Sequence, residues 1–423
     1  MRGSSLAMER DGASESVHGK MYWIDYAMLG LVCLMPLFPR PTIDSVLKFI
    51  APGSIVVVAS LFAIWIVNGR ALILRRNREI WLMMTIGASI LGFYGARIFM
   101  KSEWGEMPYF VSRSLGFLLM VMLSLWILMR RIDIQKLFSA VLVGFIALSV
   151  IVIFCGISGV ALFGELRPSR DYMVQLPFYK TTGVPRSYGE FGILASAAWA
   201  YLLTEKKRLN VAGKMFFGAL VLLAVAISQS RSTYLAILFV TGSHLILYVA
   251  KSRWIRSLLI ITALVLPLML EAMSDELQAI PVVRGFLGEG VVNKNVYSRL
   301  AINRVALDFL TSSPADLAFG SGHTEWLEAL YENEGLEGAL HNHFLSNAVF
   351  LGVVGGTLSV LLLLWPVMFI AWKIRLDRES QLLILASVGA ISCLQFYEGF
   401  FSIILIAEMS AFWCKYARRG KQN

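Results

Sequence analysis

The sequence predicts an all-α, polytopic integral membrane protein with about 12 transmembrane helices and a large helical loop between spans nine and ten. Of its 423 residues, 57% are hydrophobic and 16% are charged, whereas soluble domains average about 25% charged residues. Nearly every long uncharged stretch reaches the roughly 20 residues that cross a bilayer. Helices are expected because lipid leaves backbone polar groups no water to bind, and the alternating pattern of barrel strands is not found.

Twelve hydrophobic stretches define the predicted spans. They are 22–39, 46–68, 79–98, 109–128, 137–163, 187–204, 215–229, 233–250, 257–271, 344–372, 381–397 and 399–414. The seventh is short and the tenth is long, so both are predicted to be tilted or broken. The chain therefore divides into an N-terminal tail (1–21), spans one to nine (22–271), a large outer loop (272–343), spans ten to twelve (344–414) and a C-terminal tail (415–423).

The distribution of lysine and arginine predicts the orientation. Most of the 38 basic residues fall in alternate, short loops, and the positive-inside rule assigns those loops and both termini to the cytoplasm. The net charge of +10 therefore belongs to the inner loops. Anionic membrane lipids are sufficient partners for it, and no nucleic acid is needed.

Arg231 is the first candidate site residue. It lies in "SQSRSTYLAILF" and carries the sole formal charge between residues 215 and 250. Two predicted spans are joined there by only a few residues, at the outer surface. An arginine held at such a place is costly to desolvate and is a functional candidate, although snorkelling to the headgroups is the alternative. Three hydroxyl side chains flank it, on Ser230, Ser232 and Thr233.

The large loop contains the second candidate. Its residues 272–343 include ten acidic residues and four basic ones, a net charge of −6. The segment "SRLAINRVALDFL" predicts an amphipathic helix with Ile302, Val305, Ala306 and Phe309 on one face. Within it, Arg304 can pair with Asp308 four residues later. Arg299 has no acid at three or four residues' distance, so it is the better candidate for holding a ligand. A glycine-rich turn, "FGSG", follows the helix.

The third candidate lies where the large loop returns to the membrane, in "HNHFLSNAVFLGVVGG". A helix beginning near His341 presents its positive end to this histidine and disfavours imidazolium. A neutral imidazole can accept a proton, as a general base must. The alternative is an interfacial residue that caps the helix together with Asn342.

Three motifs, in this order along the chain, resemble the O-antigen ligase and polymerase family. They are "SRSTYLAI", "SRLAINRVALDFLTSSPADLAFGSG" and "HNHFLSNAVFLGVVGG", and the resemblance covers a block from about Gln175 to Trp365. The resemblance implies a bacterial inner-membrane glycosyltransferase with a periplasmic active site. Its donor would be a glycan on undecaprenyl diphosphate. The acceptor would be lipid A–core in a ligase, which is the preferred prediction, or another lipid-linked glycan in a polymerase.

The resemblance also implies roles for individual residues. Arg231, Arg299 and His341 match the family's catalytic residues. The polar stretch "VPRSYGEFG" resembles a family segment before the sixth span and contributes Arg186 and Tyr188. We expect these two to bind substrate, together with Ser230, Arg304 and Asn342. One departure is Asn303, where family loops often carry tryptophan.

Metal-independent, inverting transfer is predicted. An Asp-x-Asp pair, which could hold a divalent cation on a diphosphate, does not occur in the sequence, and no metal or other cofactor is expected. The four cysteines fall in or at the edge of predicted spans and are expected to pack as small hydrophobic residues. Two other function classes stay open. A transporter or flippase also commonly has twelve spans, and a membrane scaffold would not need the arginines.

Overall fold

A computed structural model describes residues 23–34, 78–101, 133–162, 178–184, 188–206, 208–249, 252–272, 305–322, 343–373 and 377–394. It also describes short pieces at 37, 104–107, 110–111, 114, 126–127 and 302–303. Within these residues the secondary structure is helical, without a strand. The helices are α1 (Trp23–Leu34), α2 (Arg78–Lys101), α3 (Ile134–Ser158), α4 (Tyr188–Thr204), α5 (Val211–Ser228), α6 (Arg231–Val249), α7 (Arg253–Ala272), α8 (Pro314–Phe319), α9 (His343–Lys373) and α10 (Arg378–Leu394).

The described helices agree with the predicted spans where the two overlap. All except α8 coincide with a predicted span. Among the described residues, three segments are long and apolar enough to cross a membrane, namely Ile134–Ser158, Val211–Ser228 and Ser232–Val249. The architecture is that of a helical membrane protein. Predicted spans 46–68 and 399–414 and most of 109–128 lie outside the described residues, so the count of twelve stays a prediction.

The two spans predicted to be irregular have different outcomes. The seventh is not short, because α5 begins at Val211, is capped by the side chain of Asn210 and has 18 residues. The prediction started this span after Lys214, but the amine of Lys214 reaches back to the backbone carbonyl of Glu205, so the charge does not end the helix. The tenth span, predicted to be tilted or broken, is broken, since Gly352 interrupts α9 with φ 69° and ψ 177°.

Helices α4, α6 and α10 form the centre of the bundle. They approach closely through glycines. A Cβ atom added to Gly192 of α4 would lie 2.7 Å from Cys393 Sγ of α10 and 2.9 Å from Thr233 Oγ1 of α6. Close contact through small residues is the usual way for membrane helices to associate. Around this centre, α3 and α5 pack on α4, α1 packs on α3, and α7 and α9 pack on α10.

Ionic contacts gather at one end of the bundle. The buried carboxylate of Glu205, just after α4, forms an ion pair with Arg378 at the start of α10. Arg208 and Asp133 form a second pair at 3.4 Å, before α5 and α3 respectively. Three loops predicted to be cytoplasmic therefore meet at the same end, as the predicted orientation requires.

The opposite end is where α4 and α6 begin and α10 ends. There Cys393 Sγ lies 3.9 Å from the backbone oxygen of Ser232. Helices α9 and α10 pack together and are joined by residues 374–377, so they run antiparallel, and α9 also begins at this end. We call it the loop end, because residues 302–303 and 305–322 of the predicted large loop pack there.

Candidate functional site

The start of α6 is fixed by a hydroxyl cap. The N–H of Tyr234 donates to the backbone oxygen of Ser230 at 3.0 Å. Ser230 Oγ accepts from Thr233 N at 3.4 Å and from Thr233 Oγ1 at 2.9 Å, and it lies 3.1 Å from Ser232 Oγ. This is N-cap geometry, and it makes Arg231 the first residue of α6. Ser230 thus has a structural role, and its predicted contact with substrate stays a prediction.

Gln229, beside this cap, has an unusual backbone and side-chain environment, and it is not among the residues predicted from the sequence. It ends α5 in the left-handed conformation, with φ 47°, and its N–H bonds to the oxygen of Ala226. It is the one non-glycine residue with positive φ among the described residues. Both polar atoms of its side-chain amide are buried, without a hydrogen-bond partner in the described part of the chain. The sequence feature that could have identified Gln229 as a candidate is its position among serines, close to Arg231.

The segment before α4 is anchored on the end of α3. The N–H of Tyr179 donates to the oxygen of Gly156 at 2.9 Å. Residues 181–184 are buried, and the hydroxyl of Thr182 donates to the oxygen of Val184 at 2.8 Å. These contacts fix the chain just ahead of the predicted Arg186 and Tyr188. In the first turn of α4, Glu190 is buried.

The predicted amphipathic helix of the large loop packs with its apolar face against other helices. We call residues 302–303 and 305–310 the loop helix, and all of them are helical. Ile302, Val305 and Ala306 are buried and Phe309 is partly buried in one apolar cluster, so the predicted face is confirmed. The cluster is completed by Tyr94 and Ile98 of α2 and by residues 349–351 of α9. Asn303, at the departure from the family pattern, is half-buried.

The segment "FGSG", predicted as a turn, ends α8 and contacts α9. Ser313 caps α8 by accepting from the N–H of Asp316 at 3.0 Å, and α8 ends at Gly320 with φ 80°. The next residue, Ser321, donates its N–H to the oxygen of Val349 in α9 at 2.9 Å. The turn therefore contacts α9 next to its break at Gly352.

Arg97 of α2 is a second residue that the sequence analysis missed. It is 5% exposed, and its guanidinium donates to the backbone oxygen of Ser321 in the turn. It is the only charged residue between Glu79 and Lys101. A single charge within an apolar stretch is also the feature that makes Arg231 a candidate site residue.

The structure brings the starts of α4, α6 and α9, which surround the predicted site, to one end of the bundle. The side chains predicted to do the chemistry lie mostly outside the described residues. These are Arg186, Arg299, Arg304, His341 and Asn342, together with the side chains of Arg231 and Tyr188, of which the backbone alone is described. Contacts among the predicted catalytic side chains stay predictions.

Residues 216–360 match the model of a family described as O-antigen ligase. The match begins in α5, ends in α9 and contains all three motifs that carry the resemblance, which is thereby confirmed. Arg186 and Tyr188 precede the matched region. No curated protein matches the chain significantly.

Proposed function

We propose that this protein is a glycosyltransferase of the bacterial inner membrane, acting as an O-antigen ligase. It takes a glycan from undecaprenyl diphosphate and transfers it to a sugar hydroxyl of lipid A–core at the periplasmic face. The observation that carries this proposal is the match of residues 216–360 to the O-antigen ligase family. A family of this kind implies a lipid-linked glycan as substrate.

The proposed chemistry assigns binding of the leaving group to arginines. A glycosyl diphosphate carries concentrated negative charge, and guanidinium groups match phosphate oxygens with paired hydrogen bonds. Arg231 and Arg299 are proposed to stabilise this charge as the bond to the diphosphate breaks. The capped start of α6 supports the assignment, because it gives the backbone of Arg231 a fixed position.

His341 is proposed as the general base. The acceptor hydroxyl oxygen attacks the anomeric carbon and forms the new glycosidic bond, and its proton passes to the imidazole. The bond between the anomeric carbon and the diphosphate oxygen breaks, and undecaprenyl diphosphate leaves with the electron pair. In-line attack inverts the anomeric carbon. The arginines neutralise the diphosphate in this scheme, so transfer proceeds without a metal ion.

Five further residues are proposed to bind substrate around Arg231, Arg299 and His341. They are Arg186, Tyr188, Ser230, Arg304 and Asn342. The anchored segment 178–184 supports Arg186 and Tyr188 in this role, because it holds the chain leading to them against α3. Docking of the loop helix on α2 and α9 supports Arg304 and Arg299 in the same way, because the described residues beside them, 302–303 and 305–310, have a buried apolar face.

The experiment that tests the function is a gel of the surface glycan from a host that lacks this gene. We expect long carrier-linked chains to accumulate without reaching lipid A–core, and the wild-type gene to restore the ladder. Arg231→Ala should fail to restore it. Arg208→Ala, which removes an arginine from an exposed ion pair at the opposite end, is the matched control and should restore it.

Other outcomes of this gel support other functions. Single repeat units on the core would identify a polymerase, which uses the same donor and a carrier-linked acceptor. An unchanged ladder in the host without the gene would contradict both assignments. A transporter predicts that His341→Ala still restores the ladder, because its binding residues lie at mid-membrane rather than at the loop end.

A further inference from the structure

Helix α9 is broken at the place where the large loop touches it. In a regular helix, the carbonyl of Val349 accepts from the N–H four residues later. Gly352 departs from helical geometry with φ 69° and ψ 177°. At this break, the carbonyl of Val349 accepts from the N–H of Ser321 at 2.9 Å. A backbone donor from the loop thus enters the broken turn of α9.

The contact requires glycine on both sides. A Cβ atom on Gly320 would lie 2.5 Å from the backbone nitrogen of Gly352, and a Cβ atom on Gly352 would lie 2.1 Å from the oxygen of Ala318. Both glycines have positive φ, which side-chain-bearing residues rarely adopt. The two backbones therefore touch directly, and neither position accommodates even alanine without a shift.

Arg97 holds the same turn from a third element. Its guanidinium donates to the oxygen of Ser321, and a Cβ atom on Gly322 would lie 2.0 Å from Arg97 Nη2. Burying a guanidinium in a membrane helix is costly, so this contact is not an incidental surface pairing. We call Arg97, Gly320–Gly322 and Val349–Gly352 the clasp.

The break divides α9 between two apolar clusters. Beyond Gly352, Val367, Ile370 and Ala371 belong to the main core of the bundle. Before it, residues 349–351 belong to the cluster formed with α2 and the loop helix. The first segment of α9, residues 343–351, is therefore fixed by the loop and α2 rather than by the main core. His341 comes two residues before this segment begins.

We propose that Arg97 is a positioning residue for glycan transfer. Through the clasp it locks the large loop into α9 and thereby fixes the segment that presents His341 to the acceptor hydroxyl. The proposal rests on the proposed function above. A general base must stand within hydrogen-bond distance of its proton, and small misplacements cost large factors in rate. Loosening the clasp therefore lowers the rate of the transfer step more than it weakens donor binding.

The test measures initial rates of transfer by purified protein in proteoliposomes, against the concentration of undecaprenyl-diphosphate-linked glycan. For Arg97→Met and Gly352→Ala we expect kcat to fall about 100-fold, while KM for the donor stays within about twofold. Arg97→Lys should restore part of kcat, because an ammonium can still donate to the oxygen of Ser321. The matched control is Gly92→Ala on the same helix, where an added Cβ meets nothing within 4 Å.

A second readout reports the clasp independently of activity. The rings of Phe93 in α2 and Phe319 in the loop have centroids 6.3 Å apart. In a cysteine-free background, Phe93→Cys with Phe319→Cys should be joined by a short bis-maleimide, detected by mass spectrometry. Arg97→Met and Gly352→Ala should each reduce this cross-link, and Gly92→Ala should not.

The two readouts separate the possible failures. A cross-link that survives in Arg97→Met and Gly352→Ala overturns the clasp, whatever the rate. A lost cross-link with unchanged kcat overturns the positioning role. A wild-type protein that transfers no glycan contradicts the proposed function, and the cross-link then still decides whether the clasp exists.

Discussion

Gln229, at the junction of α5 and α6, combines two locally unfavourable features. Its left-handed backbone costs a side-chain-bearing residue roughly 1–2 kcal/mol. Its amide is buried without a partner in the described part of the chain, which costs about 1–3 kcal/mol for an unsatisfied group. Both costs weigh against glutamine at this position in the ligand-free protein. The residue lies next to the cap of α6 and the start of the helix at Arg231, where a ligand can supply the missing hydrogen bonds.

Replacing Gln229 by glycine should therefore stabilise the ligand-free protein. Glycine adopts positive φ without strain and removes the buried amide, so the midpoint of thermal unfolding in detergent should rise by a few degrees. Gln229→Ala removes the amide but keeps the strained backbone, and it should gain less than the glycine variant. A lower midpoint for both variants would show that the amide has a structural partner.

Single residues were predictable from sequence when their charge was isolated inside an apolar stretch. Arg231 met that condition in a short junction between two spans. Arg97 met it equally, but it lies at the end of predicted span 79–98, where a basic residue looks like an ordinary boundary. Its role depends on Ser321, more than 200 residues away in the chain, and one sequence gives no signal for such a pairing.

The helices of the loop end illustrate what local pattern can predict. The buried face of the loop helix was predicted because apolar residues at helical spacing must be covered by something. The length of the span alone predicted that α9 would be tilted or broken. The location and partner of the break were not predicted, because the contact between Gly320 and Gly352 is made by two backbones. The start of α5 was misplaced because hydropathy treats Lys214 as a boundary.

The docked loop helix can be tested with adjacent substitutions. Ala306 is 0% exposed and its neighbour Leu307 is 52% exposed. Ala306→Glu places a charge in the apolar cluster, so the large loop should become several-fold more sensitive to limited proteolysis and glycan transfer should fall. Leu307→Glu is the control and should change neither. Equal protease sensitivity of the two variants would contradict the docking.

At the scale of the whole molecule, the two ends of the bundle have different characters. One end combines the ion pairs of Glu205 with Arg378 and of Arg208 with Asp133. The loop end combines the starts of α4, α6 and α9 with the described residues of the predicted large loop, 302–303 and 305–322. The positive-inside rule assigns the first end to the cytoplasm, and the predicted chemistry requires the second to face the periplasm.

This orientation predicts the accessibility of two exposed alanines. Ala212 lies at the start of α5 and Ala315 lies in α8. In a cysteine-free background, Ala315→Cys should react with a membrane-impermeant maleimide applied to spheroplasts. Ala212→Cys should react only after the membrane is permeabilised. Labelling of both positions from the same side would contradict the predicted topology.

His341 is proposed to take the proton of the acceptor hydroxyl. The measurement that tests this role most directly is the rate of glycan transfer to lipid A–core in proteoliposomes, with wild type, His341→Ala and the neighbouring control His343→Ala. Loss of a general base typically costs about 10²–10⁴-fold. We predict a loss of that size for His341→Ala at an unchanged KM for the donor, and near wild-type rates for His343→Ala. Transfer by His341→Ala at the wild-type rate would contradict the role of His341 as general base.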